Sequence, residues 1–525
     1  MEQRWVQTFL EEVSNILPGF GFPKSMQGKS NGQYPLYKVG DISKNIKSGS
    51  IYLKTCDNYI DDAELKKIRG KLLPKGTVVF AKIGEALKLN RRAITTVPCL
   101  VDNNVVGVKA NNSMLLDGFL YFFLKIVKLD DFSRATTVPS VRKTDIEKIS
   151  FYLPPLPEQR ALVSKIEQLF SDLDNGIENF KKAQTQLKLY RQSVLKAACE
   201  GKLVPTEAEL AHAEGRDYET ADVLLARILK ERREKWESTQ LVELIAKDKI
   251  PKNDSWKKKY REPSLLENDD LPSLPKGWIW TNFEQIADGT PNSLKAGPFG
   301  SALKKDFYAP NGYKIYGQEQ VIRGDPFYGN YYIGENHYQK LRSCAVKPGD
   351  ILISLVGTIG KVLILPFGIE PGIINPRLVK LSLDKRVVNY KYIKAYLESP
   401  NVRHYFSLVS HGGTMDILNL TVLKELPIPL PPFKEQNVIV SEVERRLSIS
   451  DKMEETITES LQKAEALRQS ILKKAFEGKL LNEREQEEAR NAPDWEPAEK
   501  LLDRIRREKQ IKEKNNKPAR GKNKE

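Results

Sequence analysis

The sequence is poor in the residues that hold metals and disulfides. Among 525 residues there are four cysteines and four histidines. Cys56, Cys99, Cys199 and Cys344 stand dozens of residues apart without a C-x-x-C pair, and His212, His337, His404 and His411 form no ligand set with them. That spacing argues against a structural zinc site and a disulfide framework, and it suits a reducing cytoplasm. A long apolar run is also missing. The most apolar stretch, 351–369, is broken by Gly357, Gly360 and Lys361, which predicts two short strands, Ile351 to Ser354 and Val362 to Leu365, and not a membrane span. The opening residues Met1 to Trp5 carry no apolar core of a secretory signal. The expectation is a cytoplasmic chain without a membrane segment.

Charge, by contrast, is plentiful: 84 Lys and Arg against 69 Asp and Glu, a net +15. It is unevenly placed, with +8 over 1–150, −1 over 151–270, +6 over 271–430 and +2 over 431–525. The two basic blocks, rich in Tyr, Phe and Gly, read as polyanion-binding domains; the two balanced, densely charged blocks read as exposed helices. A single core stops growing at roughly 250 to 300 residues, so several domains are required.

The strongest signal is an internal repeat. Residues 148–204 align without a gap to 425–481 at an offset of 277, with roughly 21 of 57 positions identical. Leu153-Pro154-Pro155 and Glu158-Gln159 return as Leu430-Pro431-Pro432 and Glu435-Gln436, and Glu200-Gly201-Lys202-Leu203 returns as Glu477-Gly478-Lys479-Leu480. The prolines suit a helix start and Gly201 or Gly478 its end. In between, Ile166, Phe170, Leu173, Ile177, Phe180, Leu187 and Val194 follow steps of three and four, with polar Gln184 and Arg191 on the same seam. The second copy offers Ile449, Met453, Ile457, Leu461, Ala464, Leu467 and Ile471 near one face. A helix of about 40 residues is roughly 60 Å long, too long to bury its stripe in a small domain. Packing of the two copies on each other, antiparallel, is the simplest solution; two helices each packed on its own block is the alternative. The basic blocks repeat more weakly: Leu73 to Phe80 resembles Val346 to Ile353, and Asn104 with Val108-Lys109 resembles Asn375 with Val379-Lys380. The segments Phe119 to Leu124 and Tyr392 to Leu397 correspond as short amphipathic helices.

This order of basic block, L-P-P-x-x-E-Q, long helix and E-G-K-L, given twice, resembles the specificity (S) subunit of type I restriction–modification systems across nearly the whole chain. Leu271-Pro272-Ser273-Leu274-Pro275-Lys276-Gly277-Trp278, Gly297-Pro298-Phe299-Gly300-Ser301 and Lys347 to Leu352 match that family's landmarks, while the first block keeps only Trp5 of the L-P-x-G-W signature. The resemblance implies an α+β chain. Two mixed α/β target recognition domains, 1–152 and 271–430, would be separated by two long helices packed as an antiparallel coiled coil, in a pseudo-two-fold repeat. A central conserved helical region spans 153–235, a linker 236–270 with a short helix at Leu241 to Lys247, a C-terminal helical region 431–508 and a basic disordered tail 509–525. It further implies a non-catalytic subunit whose two domains read the halves of a bipartite double-stranded DNA site, docked to two methyltransferase (M) subunits and joined by restriction (R) subunits. S-adenosylmethionine would belong to the M subunits, and ATP and Mg to the R subunits. Independently of the resemblance, two diverged readers on one chain should bind an asymmetric split site, whereas identical halves bind a palindrome.

The candidate DNA contacts are basic residues beside turns: Lys47, Lys82, Lys88, Arg91, Arg92, Arg134, Arg142 and Lys143, then Lys304, Lys305, Arg323, Lys361 and Arg403. Each is explained as well by a solvated surface. The loop His411-Gly412-Gly413-Thr414, aligned with Arg134-Ala135-Thr136-Thr137, adds paired glycines that let a backbone approach phosphate. Gln159 and Gln436 read as structural residues at the helix start. Catalytic motifs fail on inspection. Asp325-Pro326-Phe327-Tyr328 lacks the second proline of an amino-methyltransferase loop, and Gly357-Thr358-Ile359-Gly360-Lys361-Val362 is too short for a P-loop. A self-contained DNA methyltransferase is the alternative reading, and no catalytic or metal-binding residue is assigned.

Overall fold

A computed structural model describes residues 5–68, 70–133, 139–249, 251, 253–266, 271–409 and 418–515. The chain divides into two units, one of residues 1–181 with 458–525, the other of residues 182–457. Each contains one basic block, the start of one long helix and the end of the other. Those helices, Leu156–Cys199 and Phe433–Phe476, are 44 residues each, and the glycines read as their terminators, Gly201 and Gly478, adopt φ of 67° and 69°.

The two blocks share a sheet plan. In the first unit the main sheet runs Ser14–Pro18, Val105–Ala110, Val78–Ala81, Ala93–Thr95, Tyr52–Leu53; in the second it runs Leu294–Ala296, Leu378–Leu381, Ile351–Ser354, Val362–Ile364. A smaller sheet pairs Tyr34–Tyr37 parallel to Leu100–Val101 in the first unit and Tyr313–Tyr316 parallel to Gly372–Ile374 in the second. An antiparallel pair, Val6–Phe9 with Ser150–Leu153 or Ile279–Thr281 with Ile428–Leu430, closes each block just before its long helix begins. The central strands Val78–Ala81 and Ile351–Ser354 are buried at every position, which is why both read as near-continuous apolar runs and not as alternating ones.

Each core joins a block to helices from both copies. In the first unit Phe80, Phe119 and Leu153 pack with Leu162 and Ile166 of the first long helix, Ile471 and Ala475 of the second, and Leu501 and Ile505 of the final helix, Ala498–Asn515. In the second unit Ile353, Tyr392 and Leu430 pack with Ile439 and Val443 of the second long helix, Val194 and Ala198 of the first, and Leu224 and Ile228 of the helix Ala221–Ala246. Two tryptophans fix these junctions. Trp5 donates its indole N–H to Glu158 at 2.9 Å and faces Gly478; Trp278 donates to Glu435 at 2.9 Å and packs on Gly201. Gln159 and Gln436 are fully buried and span the equivalent gaps. Gln159 accepts from the Leu116 amide and donates to the Met114 and Pro154 carbonyls; Gln436 accepts from the Asn389 amide and donates to those of Val387 and Pro431.

Within each unit the long helices run antiparallel. In the second, Trp278 brings Gly201 to Glu435, while Arg191 reaches Ser450 at 3.0 Å, Asp451 at 2.6 Å and Glu454 at 2.8 Å. In the first, Trp5 brings Gly478 to Glu158, while Arg468 pairs with Asp174 and lies over the Phe170 ring. Arg191–Asp451 and Arg468–Asp174 are the same pair at the 277 offset.

The seam of the first helix follows the expected positions: Ile166 and Val194 are buried, and Phe170, Leu173, Ile177, Phe180 and Leu187 are half-buried. The second helix corrects the expectation. Ile457, Ala464 and Ile471 are buried and Leu461 is half-buried, but Ile449, Met453 and Leu467 are 45%, 52% and 48% exposed. Carrying the first seam forward by 277 places Ser450, Glu454 and Arg468 inward instead, and Ser450 is 1% exposed. Hydrophobicity misled there because this copy is polar where the first has Leu173 and Ile177.

The helix Ala221–Ala246 runs past the expected start of the linker and absorbs the short helix expected at 241–247. Trp236 on it meets Trp256 and Tyr260 at 6.3 and 5.3 Å. Likewise the final helix continues to Asn515, into the segment expected to be a disordered tail. No helix among the described residues is long and apolar enough to cross a membrane.

Candidate nucleic-acid interface

Strand order and register bring the basic turns of each block to one end of its main sheet. In the first unit that end is where Ser14–Pro18 and Val78–Ala81 stop and Val105–Ala110, Ala93–Thr95 and Tyr52–Leu53 begin. The connection 82–92 carries Lys82, Lys88 and Arg91 there, and Lys47 closes the helix Val39–Lys47 that leads into Tyr52. Ile83 bridges to Ser140, and the Val141 amide donates to the Lys82 carbonyl at 3.0 Å, so Arg142 and Lys143 join the group. Lys82, Arg142 and Lys143 rim a recess of about 330 Å³ floored by Ile16, Val106 and Ile146. Lys47, Lys88, Arg142 and Lys143 are exposed, Lys82 and Arg91 half-buried. Several are held locally: Lys88 by Glu85 at 2.9 Å, Lys143 by Glu147 at 3.3 Å, and Arg91 by the Ser43 hydroxyl at 2.9 Å.

Arg92 does not belong to this group. It is 1% exposed, its guanidinium lies 4.6 Å over the Phe80 ring and donates to the Arg91 carbonyl and the Asn90 side chain. Burial pushes its pKa down to about 9. Arg91, beside it at the end of the connection, is half-buried and bonds the Ser43 hydroxyl instead.

In the second unit the equivalent end lies where Leu294–Ala296 and Ile351–Ser354 stop and Leu378–Leu381 and Val362–Ile364 begin. The turn 355–361 places exposed Lys361 there. A Cβ on Gly360 would lie 3.0 Å from the Phe406 ring, so the helix Pro400–Val409 leans on this turn and brings in Arg403. Glu398 reports their common neighbourhood: burial pushes its carboxyl up, while Lys394, Arg403 and Lys361 draw it down. Lys304 and Lys305, both exposed, follow the loop that leaves Leu294–Ala296. Arg323 ends the helix Gln318–Arg323 and stacks 4.1 Å over Tyr328; the start of that helix meets the turn through the Gln318 side chain, bonded to the Val356 carbonyl. Exposed Arg377, absent from the sequence candidates, stands at the same end, and its carbonyl accepts from the Leu355 amide at 2.9 Å. Its signal was available, two residues beyond the Asn104/Asn375 match.

Arg134, Thr136, Thr137, His411, Gly412, Gly413 and Thr414 lie outside the described residues. Their flanks occupy matching places, since the Leu418 amide donates to the Leu355 carbonyl as that of Val141 does to Lys82.

The catalytic lookalikes are used structurally. Asp325 accepts from the Phe327 amide of its own turn at 2.9 Å. The glycine turn at 357–360 leads into a strand, not into the helix that a phosphate-binding loop requires. Among the described residues no group of three or more His, Cys, Asp or Glu is placed to hold a metal.

Residues 2–183 and 300–463 match the family model described as the type I restriction modification DNA specificity domain. The chain belongs to this family. Among its relatives, the Escherichia coli type I restriction enzyme EcoBI specificity subunit is 22% identical over 489 residues, 91% of this chain and 86% of the relative. The Salmonella potsdam StySPI specificity subunit is 21% identical, covering 97% and 96%. In solved structures the fold recurs in the HsdS subunit of Thermoanaerobacter tengcongensis, with TM-score 0.52, 18% identity, and 91% and 98% coverage. It also recurs in a chain from work on complex assembly and conformational transition of the type I R-M system, with TM-score 0.56, 17% identity and the same coverage. The two matched segments each contain most of one basic block and part of a long helix. In this specificity chain the duplicated sheet ends, with shared turns and different side chains, are therefore the candidate DNA-reading surfaces.

Proposed function

We propose that each basic sheet end reads one half of a bipartite, asymmetric DNA target, through the domains at 1–152 and 271–430, and that the paired long helices set the gap between the halves. The observation that carries this reading is the repetition of one sheet plan with its basic turns gathered at the same end but with different residues. Lys82, Lys88, Arg91, Arg142 and Lys143 serve the first half, and Lys304, Lys305, Lys361, Arg377 and Arg403 the second, mainly as phosphate contacts that fix register. The helical regions dock two methyltransferase subunits, which bind S-adenosylmethionine and methylate adenine; restriction subunits using ATP and Mg complete a cytoplasmic defence complex. The chain itself performs no catalysis.

The test is co-expression with the neighbouring genes in a methylation-free host, followed by single-molecule mapping of modified adenines. The expected result is a split motif in which one half changes when 1–150 is exchanged for another block and the other when 271–430 is exchanged. Methyl transfer to DNA by the isolated chain would overturn the non-catalytic assignment.

A further inference from the structure

The loop leaving the strand Leu294–Ala296 carries a phenyl ring that the fold does not need. Phe299 is 91% exposed, yet the backbone beneath it is braced on both sides. The Gly297 amide donates to the Leu378 carbonyl at 2.9 Å, and a Cβ on Gly297 would fall 1.8 Å from the Asn375 carbonyl oxygen, so only glycine permits this approach. Beyond the ring, the Ala302 amide donates to the Phe299 carbonyl at 2.9 Å, and Leu303 is buried beside Ile315 and Tyr316. The ring is thus presented from a fixed turn while forgoing the burial that stabilises other phenylalanines.

The first unit shows that this exposure is optional. Gly19 makes the same close approach, 1.8 Å from the Asp102 carbonyl oxygen, but the aromatics that follow it, Phe20 and Phe22, are half-buried against Leu36, Ile60 and Leu100. The surroundings of Phe299 point to its partner. Lys304 and Lys305 follow it, and the turn holding Arg377 lies against Gly297. Lysine is depleted at protein–protein interfaces, whereas an exposed ring followed along its loop by two exposed lysines suits a duplex, with bases for the ring and phosphates for the charges.

We propose that Phe299 contacts base edges within the half-site read by the second unit, while Lys304 and Lys305 hold the flanking phosphates. This assignment rests on the DNA-reading function above. It is tested on the full chain co-expressed with its methyltransferase subunits, comparing Phe299→Ala and Phe299→Leu with Phe367→Ala. Phe367 is 93% exposed on the turn at the opposite end of the same sheet, so its variant controls for loss of a bare ring. Thermal unfolding, subunit content, the methylated motif and competition by duplexes changed at single positions are read for each. Phe299→Ala should melt and assemble as wild type and lose roughly tenfold discrimination, about one mismatched base pair's worth, at one or two positions of the half assigned to 271–430. The other half should be unchanged, Phe299→Leu intermediate and Phe367→Ala like wild type. Unaltered discrimination by Phe299→Ala would overturn the proposal, as would loss of methyltransferase subunits with discrimination intact, which would assign the ring to a protein partner. A wild-type complex with no sequence preference would remove the DNA-reading function itself, a result distinct from either.

Discussion

At the residue scale, the two tryptophans show one device set at two depths. The bond from Trp278 to Glu435 is buried, that from Trp5 to Glu158 only partly so. Trp278→Phe leaves a carboxylate oxygen without its donor and should cost about 1 to 3 kcal/mol in urea denaturation; Trp5→Phe should cost less, because water reaches Glu158. Glu284 gives the second unit an acid sensitivity. Burial opposes ionisation of this carboxyl, but Lys424 at 2.8 Å and bonds from Ser264 outweigh it and hold the pKa down to about 2. A folded-state pKa below the ordinary value of 4.5 means that the stabilisation is present at neutral pH and lost as pH falls from that value through the folded one. Melting followed over this range should show the loss in wild type and a flatter profile in Glu284→Gln. Arg92 and Lys361 separate folding from binding. Arg92→Ala should lower the melting temperature of the first unit, since it empties a buried site over Phe80. Lys361→Ala should leave melting unchanged and weaken binding evenly across sequences, reducing the slope of log affinity against log salt by about 1. An unchanged slope would remove Lys361 from the phosphate contacts.

At the element scale, the long helices show how far periodicity alone carries. On the first helix the apolar residues and the seam coincide. On the second, Ile449, Met453 and Leu467 draw a hydrophobic reading one position aside, while the seam keeps the heptad step through Ser450, Glu454 and Arg468. The duplication offset was the better guide, because a helix pair conserves register before it conserves hydrophobicity. Arg191 and Arg468 reach out from the seam to the exposed Asp451 and Asp174, so the same surface ion pair recurs in each unit. Strand pairs such as Ile351–Ser354 and Val362–Ile364 were legible because glycine turns bound them. Arg92 was not, since neither composition nor neighbours distinguish an inward arginine from an outward one.

At the scale of the whole molecule, the duplication makes a gapless helix register a functional quantity. Inserting one heptad after Gln184 in the first helix alone would misregister the pairs made by Arg191 and Arg468. It should disturb assembly with the methyltransferase subunits or change the gap of the methylated motif. An insertion variant with unchanged assembly and unchanged gap would count against the helices as the spacer.

The sequence by itself determined the duplication, the two basic blocks, the punctuation of the two long helices and the family, because each is written in local pattern: spacing, charge and turn residues at fixed offsets. Tertiary structure alone decided which basic turns share a surface. Strand order and direction bring Lys47, Lys82 and Arg142, nearly a hundred residues apart in the chain, to one end of a sheet. Side-chain direction turns Arg92 inward, and the fold of the loop leaves Phe299 bare where Phe20 and Phe22 are covered. These are outcomes of long-range packing, in which a residue's role depends on neighbours that the chain supplies from elsewhere.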